Sequence, residues 1–249
     1  IGLSICIDPE AAERDFIEAG RVREQVAPPA IEPDILRIPK PAIFVPPSVS
    51  PTALDTHQAC PRRYFLENVI RAGDLFEVKV AGKAAAESGI LSPTDMGLLI
   101  HKVLEEDLAS LESGLPSAQL LDQRAFEALD KKEELSRADH ERVLELLENF
   151  RRTEIATTLF RADAAGELRR ELSFSTLVGQ VILKGQIDAL CLSAAATLVV
   201  DYKTGKPGEN RTPEEVAGDY RLQMASYALA ASRLNPGPPV RVVLLYLGG

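Results

Sequence analysis

The chain has 249 residues, of which 45% are hydrophobic and 26% charged, a composition typical of one large globular domain or a domain with appendages. No apolar run reaches the ~18 residues of a transmembrane helix, and the start of the chain lacks the basic flank of a signal peptide. The net charge of −9, with an isoelectric point near 5.0, argues against a free-standing, nonspecific nucleic-acid binder, because such proteins are usually basic.

The first 47 residues predict an extended, proline-rich tether. A short helix is expected near 9–24, and prolines then recur from position 28 to position 47, a density typical of extended linkers. The chain begins without Met and stops just after an apparent strand. We therefore expect residues 48–249 to form a domain excised from a longer chain, with 1–47 connecting it to, or lying against, another domain.

Helical patterns dominate from position 52 to about 160. Four helices are expected, over about 52–68, 95–111, 118–135 and 137–160. Ser50 or Thr52 is a candidate N-cap of the first helix, and Thr94 of the second. In the last helix, apolar residues at helical spacing indicate a core-facing stripe, formed by Val143, Leu146, Leu147 and Phe150.

After Gly166 the hydrophobic period changes to that of strands. Four strands are expected, over about 171–177, 180–192, 197–203 and 240–247. A helix over about 214–233, begun by Pro213, separates the last two strands. The chain therefore predicts an α/β (or α+β) fold, in which a mixed central sheet is flanked by helices and the N-terminal half is helical.

Two acids and a lysine lie within this strand region. Asp188 ends the string Gly185-Gln186-Ile187-Asp188, and Asp201 and Lys203 follow on the next strand. Strand side chains alternate, so Asp201 and Lys203 share a face, and pairing with the neighbouring strand brings Asp188 alongside. Converging carboxylates repel unless a cation neutralises them, and oxygen ligands suit Mg²⁺ or Mn²⁺. With a lysine to orient or deprotonate a water, this combination indicates a phosphodiester hydrolase site; the alternative is a surface ion pair at a strand end.

A histidine and a glycine share one face of the second predicted helix. Gly97 and His101 are four residues apart. A glycine inside a helix costs about 1 kcal/mol relative to alanine, which hints at the close approach of another backbone. A lone histidine of this kind is more often a satisfied core residue, whereas beside a metal its imidazole is a ligand.

The helix after the third strand carries a second polar pair. Gln223 and Tyr227 are four residues apart, and both side chains can hydrogen-bond a phosphate or an attacking water. Tyr220 and Arg221 stand just before them as further candidates for phosphate contacts. Neither residue type is specific to such a site.

Together these segments resemble the RecB-like branch of the PD-(D/E)XK nuclease superfamily, over about residues 48–247. Five motifs occur in the family's order: Ser48 and Ser50 with Cys60-Pro61-Arg62-Arg63-Tyr64, then Gly97 to His101, Gly185 to Asp188, Asp201 to Lys203, and Gln223 to Tyr227. Each motif is weak alone, and the ordered set is specific. It implies a restriction-endonuclease-like core.

The resemblance also implies roles for individual residues. By it, Mg²⁺, or alternatively Mn²⁺, is held by the side chains of His101, Asp188 and Asp201 and by the backbone carbonyl of Tyr202. Lys203 serves the attacking water. Two further residues, Gln223 and Tyr227, support the substrate and the geometry of the site. Glu171 matches a commonly acidic position, to which we assign no role at this point.

The Asp-Tyr-Lys-Thr-Gly string and the tether look most like the C-terminal nuclease domain of bacterial UvrD/AddA-type helicase-nucleases. This implies a Mg²⁺-dependent exodeoxyribonuclease module for DNA end processing in recombinational repair. Its expected partners are DNA, with single-stranded ends favoured, and helicase motor domains. We also expect it in the bacterial cytoplasm, associated with the nucleoid and not with a membrane. The alternative is a catalytically weak module of the same fold that grips DNA or braces a partner.

Cysteine usage bears on a further cofactor. Some relatives hold an iron–sulfur cluster with a cysteine at the place of Cys60 and three more near the C-terminus. This chain has three cysteines, without CxxC spacing, and none follows Cys191. We therefore expect free thiols in a reducing compartment, a structural, packed Cys60 and no cluster in this segment. The alternative is that Cys60 is a cluster ligand whose partners were removed with the C-terminal tail.

Overall fold

The structure is a computed structural model, and it describes residues 2–6, 48–71, 91–129, 134–207 and 211–248. The helix expected near 9–24, and most of the predicted tether, lie outside the described residues. Residues Gly2–Cys6 form a strand of the central sheet, an element that the sequence did not predict.

Most helices of the described residues begin after a residue whose side chain caps the first turn. They are α1 Pro51–Ala59, α2 Pro61–Tyr64 with a following π-helical turn Phe65–Val69, α3 Pro93–Glu106, α4 Leu108–Ser113, α5 Ala118–Leu129, α6 Arg137–Arg151, α7 Glu154–Ala164, α8 Pro213–Asp219 and α9 Arg221–Leu234. In this part of the chain, no helix combines the length and the apolar character needed to cross a membrane.

The predicted helix over 137–160 is two helices. The first ends at Arg151, and Thr153 begins the second, because its hydroxyl accepts a hydrogen bond from the amide of Ala156 and caps α7. The predicted helix over 95–111 is likewise divided at Asp107. Ser92 rather than Thr94 caps α3, slightly earlier than expected.

Six strands form one mixed sheet. They are β1 Gly2–Cys6, β2 Ser48–Val49, β3 Leu168–Val178, β4 Val181–Leu192, β5 Thr197–Lys203 and β6 Val240–Tyr246. The strand order is β1-β6-β5-β4, with β3 pairing antiparallel along the far edge of β4; β5 and β6 are parallel, as are β2 and β4. The four predicted strands and the mixed sheet are confirmed.

The near edge of β4 is shared by two strands. Its first half pairs with β2 at positions 182 and 183, and its second half pairs with β5 from Ala189 to Leu192. Between these two pairings, β5 leaves β4 and the sheet opens into a fork. This fork is where the predicted acids lie.

Two apolar cores, one on each face of the sheet, hold the fork in place. The first is built from α3 to α7 and from strand residues such as Val200, Tyr202 and Leu245. The second is built from α9 and from the alternate strand residues, such as Val199 and Leu244. Because both faces of β5 are covered, its residues are nearly all buried, as expected for a central strand between helical layers.

Candidate active site

The two predicted acids are the first residues beyond the last β4–β5 pair. Ala189 pairs with Val200, and the strands diverge at Asp188 and Asp201. Divergence leaves the amide of Tyr202 without a β4 partner, and Asp188 Oδ2 accepts its hydrogen bond at 2.8 Å. The Asp188 side chain therefore replaces a backbone hydrogen bond of the ladder and links β4 to β5 where the two strands separate.

Three potential metal ligands meet on the first-core side of the fork. His101 Nδ1 lies 3.5 Å from Glu171 Oε1 and 3.6 Å from Asp188 Oδ1, and one ligand atom from each residue lies within 4.8 Å of the others. The His101 ring packs edge-on against Tyr202, with ring centroids 5.8 Å apart. Helix α3 thus brings an imidazole over the two carboxylates of β3 and β4.

Glu171 reaches this position through an unusual backbone conformation. Its φ is +47°, in the left-handed region that non-glycine residues rarely occupy in a strand. Arg170 pairs with Ala189 and Leu172 with Ile187, whereas Glu171 and Asp188 between them make no ladder pair. The alternation of β4 side chains between the two faces of the sheet is interrupted there, because Ile187 packs in the second core and Ala189 in the first. Such a conformation costs roughly 1–3 kcal/mol, so the surrounding packing enforces it.

Asp201 lies on the other side of β5, facing α9. It is 2% exposed; its Oδ1 accepts a hydrogen bond from Gln223 Nε2 at 3.2 Å, and its Oδ2 lies 2.7 Å from Lys203 Nζ. Gln223 Nε2 also contacts the Tyr227 hydroxyl at 2.9 Å. The predicted face-sharing of Asp201 and Lys203 is therefore present, and Gln223 and Tyr227 hold the acid rather than project away from it.

The basic groups near the fork do not supply enough positive charge to keep all of its carboxylates ionised. Burial, followed by the charge of Asp201, raises the pKa of Asp188 to about 7. Burial also raises the pKa of Asp201 above its ordinary value, although Lys203 opposes the change. Burial lowers the pKa of His101, but Glu171 and Asp188 raise it overall. A cation bound among these groups would restore their ionised state.

Lys203 is held as a cation. Burial lowers its pKa, but the adjacent Asp201 carboxylate outweighs burial and raises it overall. Its ammonium also lies 5.1 Å from the centroid of the Tyr220 ring. A protonated lysine donates hydrogen bonds and stabilises negative charge, so it orients a water rather than deprotonating one.

Asp55 is a part of the site that the sequence analysis missed. This residue of α1 accepts a hydrogen bond from the backbone amide of Gln223 at 3.2 Å, in the first turn of α9. Burial raises the pKa of Asp55 to about 6. No local pattern distinguishes this acid from a solvated one, because its partner is far away in the sequence.

The glycine of the third motif allows α1 to approach the sheet. A Cβ on Gly185 would lie 2.8 Å from two ring atoms of Phe174 and 3.1 Å from Pro51 Cδ. At Gly97 the nearest atom would be Thr204 Oγ1, at an ordinary 3.6 Å. The close approach predicted at Gly97 is therefore made by a side chain and leaves room for a methyl group.

The cysteine motif lies apart from the fork. Cys60 is exposed and not packed as expected; its sulfur accepts a hydrogen bond from the amide of Arg63 at 3.4 Å and caps α2. Phe65 and Leu66 are also exposed. Cys191, in β4, is buried.

The structure brings most of the predicted site residues to one fork. His101 and Asp188 are neighbours on one side, while Asp201, Gln223 and Tyr227 form a hydrogen-bonded group on the other, with Lys203 ion-paired to Asp201. Asp201 does not belong to the compact three-ligand group, in which Glu171 takes its place. A metal site that includes Asp201 and the Tyr202 carbonyl stays a prediction. The donor set of one imidazole and buried carboxylates, including an Asp201 oxygen with no hydrogen-bond donor of good geometry, fits Mg²⁺ or Mn²⁺.

Comparison with known proteins adds two findings. The sequence profile of the PD-(D/E)XK nuclease superfamily matches residues 48–249. The chain is also similar to an ATP-dependent helicase/nuclease subunit of Oceanobacillus iheyensis, with 24% identity over 178 residues. That alignment covers 63% of this chain and 13% of the relative, so the chain spans a small part of the relative's length.

Proposed function

The chain belongs to the PD-(D/E)XK nuclease superfamily, and from that premise we propose that it is a metal-dependent deoxyribonuclease that hydrolyses phosphodiester bonds. The observation that carries the proposal is the fork itself. It places a three-ligand group, His101, Glu171 and Asp188, beside the ion pair of Asp201 and Lys203. The carboxylates of Glu171, Asp188 and Asp201 outnumber the adjacent basic side chains of Lys203 and His101, an imbalance that a bound cation would remove.

The proposed metal is Mg²⁺, with Mn²⁺ as the alternative. His101, Glu171 and Asp188 are the residues that would hold it, and the Asp201 carboxylate and the Tyr202 carbonyl are the remaining candidates at the fork. When bound, a divalent cation lowers the pKa of a water and offsets the charge of the scissile phosphate.

The chain's own residues supply orientation and charge. Lys203, held protonated by Asp201, hydrogen-bonds the attacking water and stabilises the negative charge that develops during in-line attack. Gln223 fixes the rotamer of Asp201 and hence the position of the lysine. Asp55 accepts a hydrogen bond from the Gln223 amide, so α1 helps to position Gln223 and, through it, Asp201 and Lys203.

We place this activity beside a helicase motor. The similarity to a helicase/nuclease subunit supports a module that degrades DNA ends during recombinational repair in the bacterial cytoplasm, as an exonuclease. The net charge of −9 supports the same placement, because an acidic module relies on a partner to deliver DNA.

The test is cleavage of end-labelled single- and double-stranded DNA with Mg²⁺, Mn²⁺ or EDTA. We expect metal-dependent products with 5′-phosphate and 3′-hydroxyl ends. Lys203→Ala should lower the rate by about 10²-fold or more, the scale of one lost electrostatic group. Lys184→Ala, at an exposed lysine of β4, removes the same charge outside the fork and should leave the rate unchanged. Parent-like cleavage by Lys203→Ala would contradict the assigned role, and DNA binding without cleavage under any metal would favour a binding module.

A further inference from the structure

The end of β5 that carries Lys203 is supported by one neighbouring strand. Among the described strands, β5 pairs with β4 only from Thr197 to Val200, and from Asp201 onward its ladder partners belong to β6. Lys203 is the last residue of β5 and lies opposite Tyr246. Because a strand end with a partner on one edge has fewer backbone hydrogen bonds to hold it, its position depends on what fixes β6.

The residue after β6 extends this one-sided support. Leu247 donates its amide to the Lys203 carbonyl at 2.8 Å, and its side chain is buried in the first core. The Leu247 carbonyl accepts a hydrogen bond from Asn149 Nδ2, in α6, at 2.9 Å. Two hydrogen bonds therefore connect a helical side chain, through the backbone of Leu247, to the backbone of Lys203.

The next residue presses the same segment against the loop that follows β5. Gly248 is buried, and a Cβ at this position would lie 2.6 Å from the carbonyl oxygen of Gly205 and 3.0 Å from that of Thr204. The contact is therefore made between two backbones, and a side chain would displace the loop. Residues Leu247 and Gly248, called the clamp from here on, thus hold both the end of β5 and the start of the loop.

The packing of α6 does not by itself call for an amide at position 149. The neighbouring Phe150 and the rest of the apolar stripe of α6 are buried, whereas Asn149 is half-buried at the margin of the stripe. A polar group there is costly to desolvate unless it is hydrogen-bonded, and its partner lies 98 residues away in the sequence. The hydrogen bond therefore fixes the clamp rather than the helix.

Building on the proposed function, we propose that Asn149 is a positioning residue for Lys203. It holds the clamp, and the clamp holds the strand end from which Lys203 reaches the Asp201 carboxylate. The Lys203 ammonium lies 2.7 Å from Asp201 Oδ2, a geometry that a small shift of the strand end would lose. Displacing a catalytic group by ~1 Å costs up to about 10²-fold in rate, so losing part of this support lowers kcat rather than weakening binding.

The position of Lys203 is measured without any cleavage. The whole 249-residue chain in EDTA is treated with limiting acetic anhydride, and acetylation of each lysine is followed by mass spectrometry, with exposed Lys184 as the internal reference. Asn149→Asp keeps the shape of the side chain but removes its N–H donor. Lys203 should then be acetylated about 3- to 10-fold faster, the factor that one hydrogen bond contributes to a local opening equilibrium. Asn68→Asp, at an exposed asparagine, adds the same charge away from the clamp and should match the parent.

Cleavage of end-labelled single-stranded DNA in saturating Mg²⁺ gives the second measurement. Asn149→Asp should lower kcat about 10-fold and leave KM near the parent value, because Lys203 acts after the substrate has bound. Asn149→Gln, which keeps an N–H donor on a longer side chain, should recover part of the loss. Gly248→Ala disturbs the clamp from the side of the loop and should give the same pattern in both measurements. Thermal melts by circular dichroism check the folding of each variant, and Gly248→Ala carries the test if Asn149→Asp does not fold.

The outcomes separate the positioning role from the chemistry. If the clamp variants fold and their Lys203 is acetylated at the parent rate, the role of Asn149 is overturned, whatever the cleavage assay shows. Faster acetylation with an unchanged kcat also overturns it, as does a loss that falls on KM alone. If the parent cuts nothing with any metal while the acetylation of Lys203 still depends on Asn149, the positioning of Lys203 stands and the proposed hydrolysis fails.

Discussion

Replacing Asp188 with asparagine should stabilise the metal-free protein while removing a ligand of the proposed metal site. The Asp188 carboxylate is buried beside Glu171 and close to Asp201, and its pKa is raised to about 7 by burial and by the charge of Asp201. An unfolded chain releases that proton near 3.8. Between these two values the folded state holds a proton that the unfolded state has lost, so stability falls as the pH rises from about 4 to about 7.

The magnitude follows from the two pKa values. Their difference corresponds to about 4 kcal/mol of folding free energy lost at pH 8 relative to pH 4. Asparagine has the same shape and keeps an oxygen for the Tyr202 amide, but a neutral acceptor is weaker than a carboxylate by roughly 1 kcal/mol. Asp188→Asn should therefore gain about 2–4 kcal/mol at pH 8 and show little difference from the parent near pH 4.

Urea denaturation in EDTA at about pH 4.5, 6 and 8 measures this effect, because these values span the range in which the proton is released. The chain has no tryptophan, so far-ultraviolet circular dichroism is the signal. Glu112→Gln, at an exposed acid of α4, makes the same carboxyl-to-amide change in solvent and should be neutral. At pH 8, Mg²⁺ should stabilise the parent by mass action and leave Asp188→Asn unchanged.

Two results would refute this reasoning. If Asp188→Asn were less stable than the parent at pH 8, the carboxylate would not be electrostatically strained. If the difference between the two proteins did not grow with pH, the proton would not be linked to folding at this residue.

Three further predictions rest on other parts of the site. Gly185→Ala should destabilise the fold by about 1–3 kcal/mol in urea, because its methyl group would overlap the Phe174 ring and press on Pro51; an unchanged midpoint would show that the contact relaxes freely. Asp55→Ala should lower the cleavage rate about 10-fold or more by releasing the Gln223 amide, whereas Asp55→Asn, which keeps an acceptor oxygen, should retain most of the rate; equal rates for the two variants would rule out the anchoring role. DNA binding by the 249-residue chain alone should be weak and should fall steeply with added salt in anisotropy titrations, and tight binding at physiological salt would contradict this.

Local sequence patterns predicted which helices and strands form better than they predicted where each one begins and ends. The apolar runs that define β4 and β5 arise from burial between two helical layers, so they are present in the sequence itself. The break before Thr153 is marked by a capping hydrogen bond, and no proline or glycine occurs there to signal it. The apolar residues continue at helical spacing across the break, so the sequence pattern indicates one long helix. Strand β1 was not expected because it is separated from its partner β6 by most of the chain.

The site was only partly predictable for a similar reason. Asp201 and Lys203 follow from strand alternation, and Asp188 from the pairing of adjacent strands. Glu171 enters the site through a left-handed backbone conformation that its own residue type disfavours, so no propensity indicates it. Asp55 enters through a hydrogen bond that spans 168 residues.

The position of β5 in the sheet gives the chain an order of assembly during synthesis. β5 carries Asp201 and Lys203, and its free edge is covered by β6, which is translated well after it, beyond the whole of α8 and α9. A nascent chain that has emerged only as far as Lys203 holds every ligand of the three-residue group but lacks the Gln223 helix and the strand that supports β5. A translation product truncated after Lys203 would therefore contain all the acids of the fork but lack α9 and β6, the elements that hold Asp201 and β5 in place.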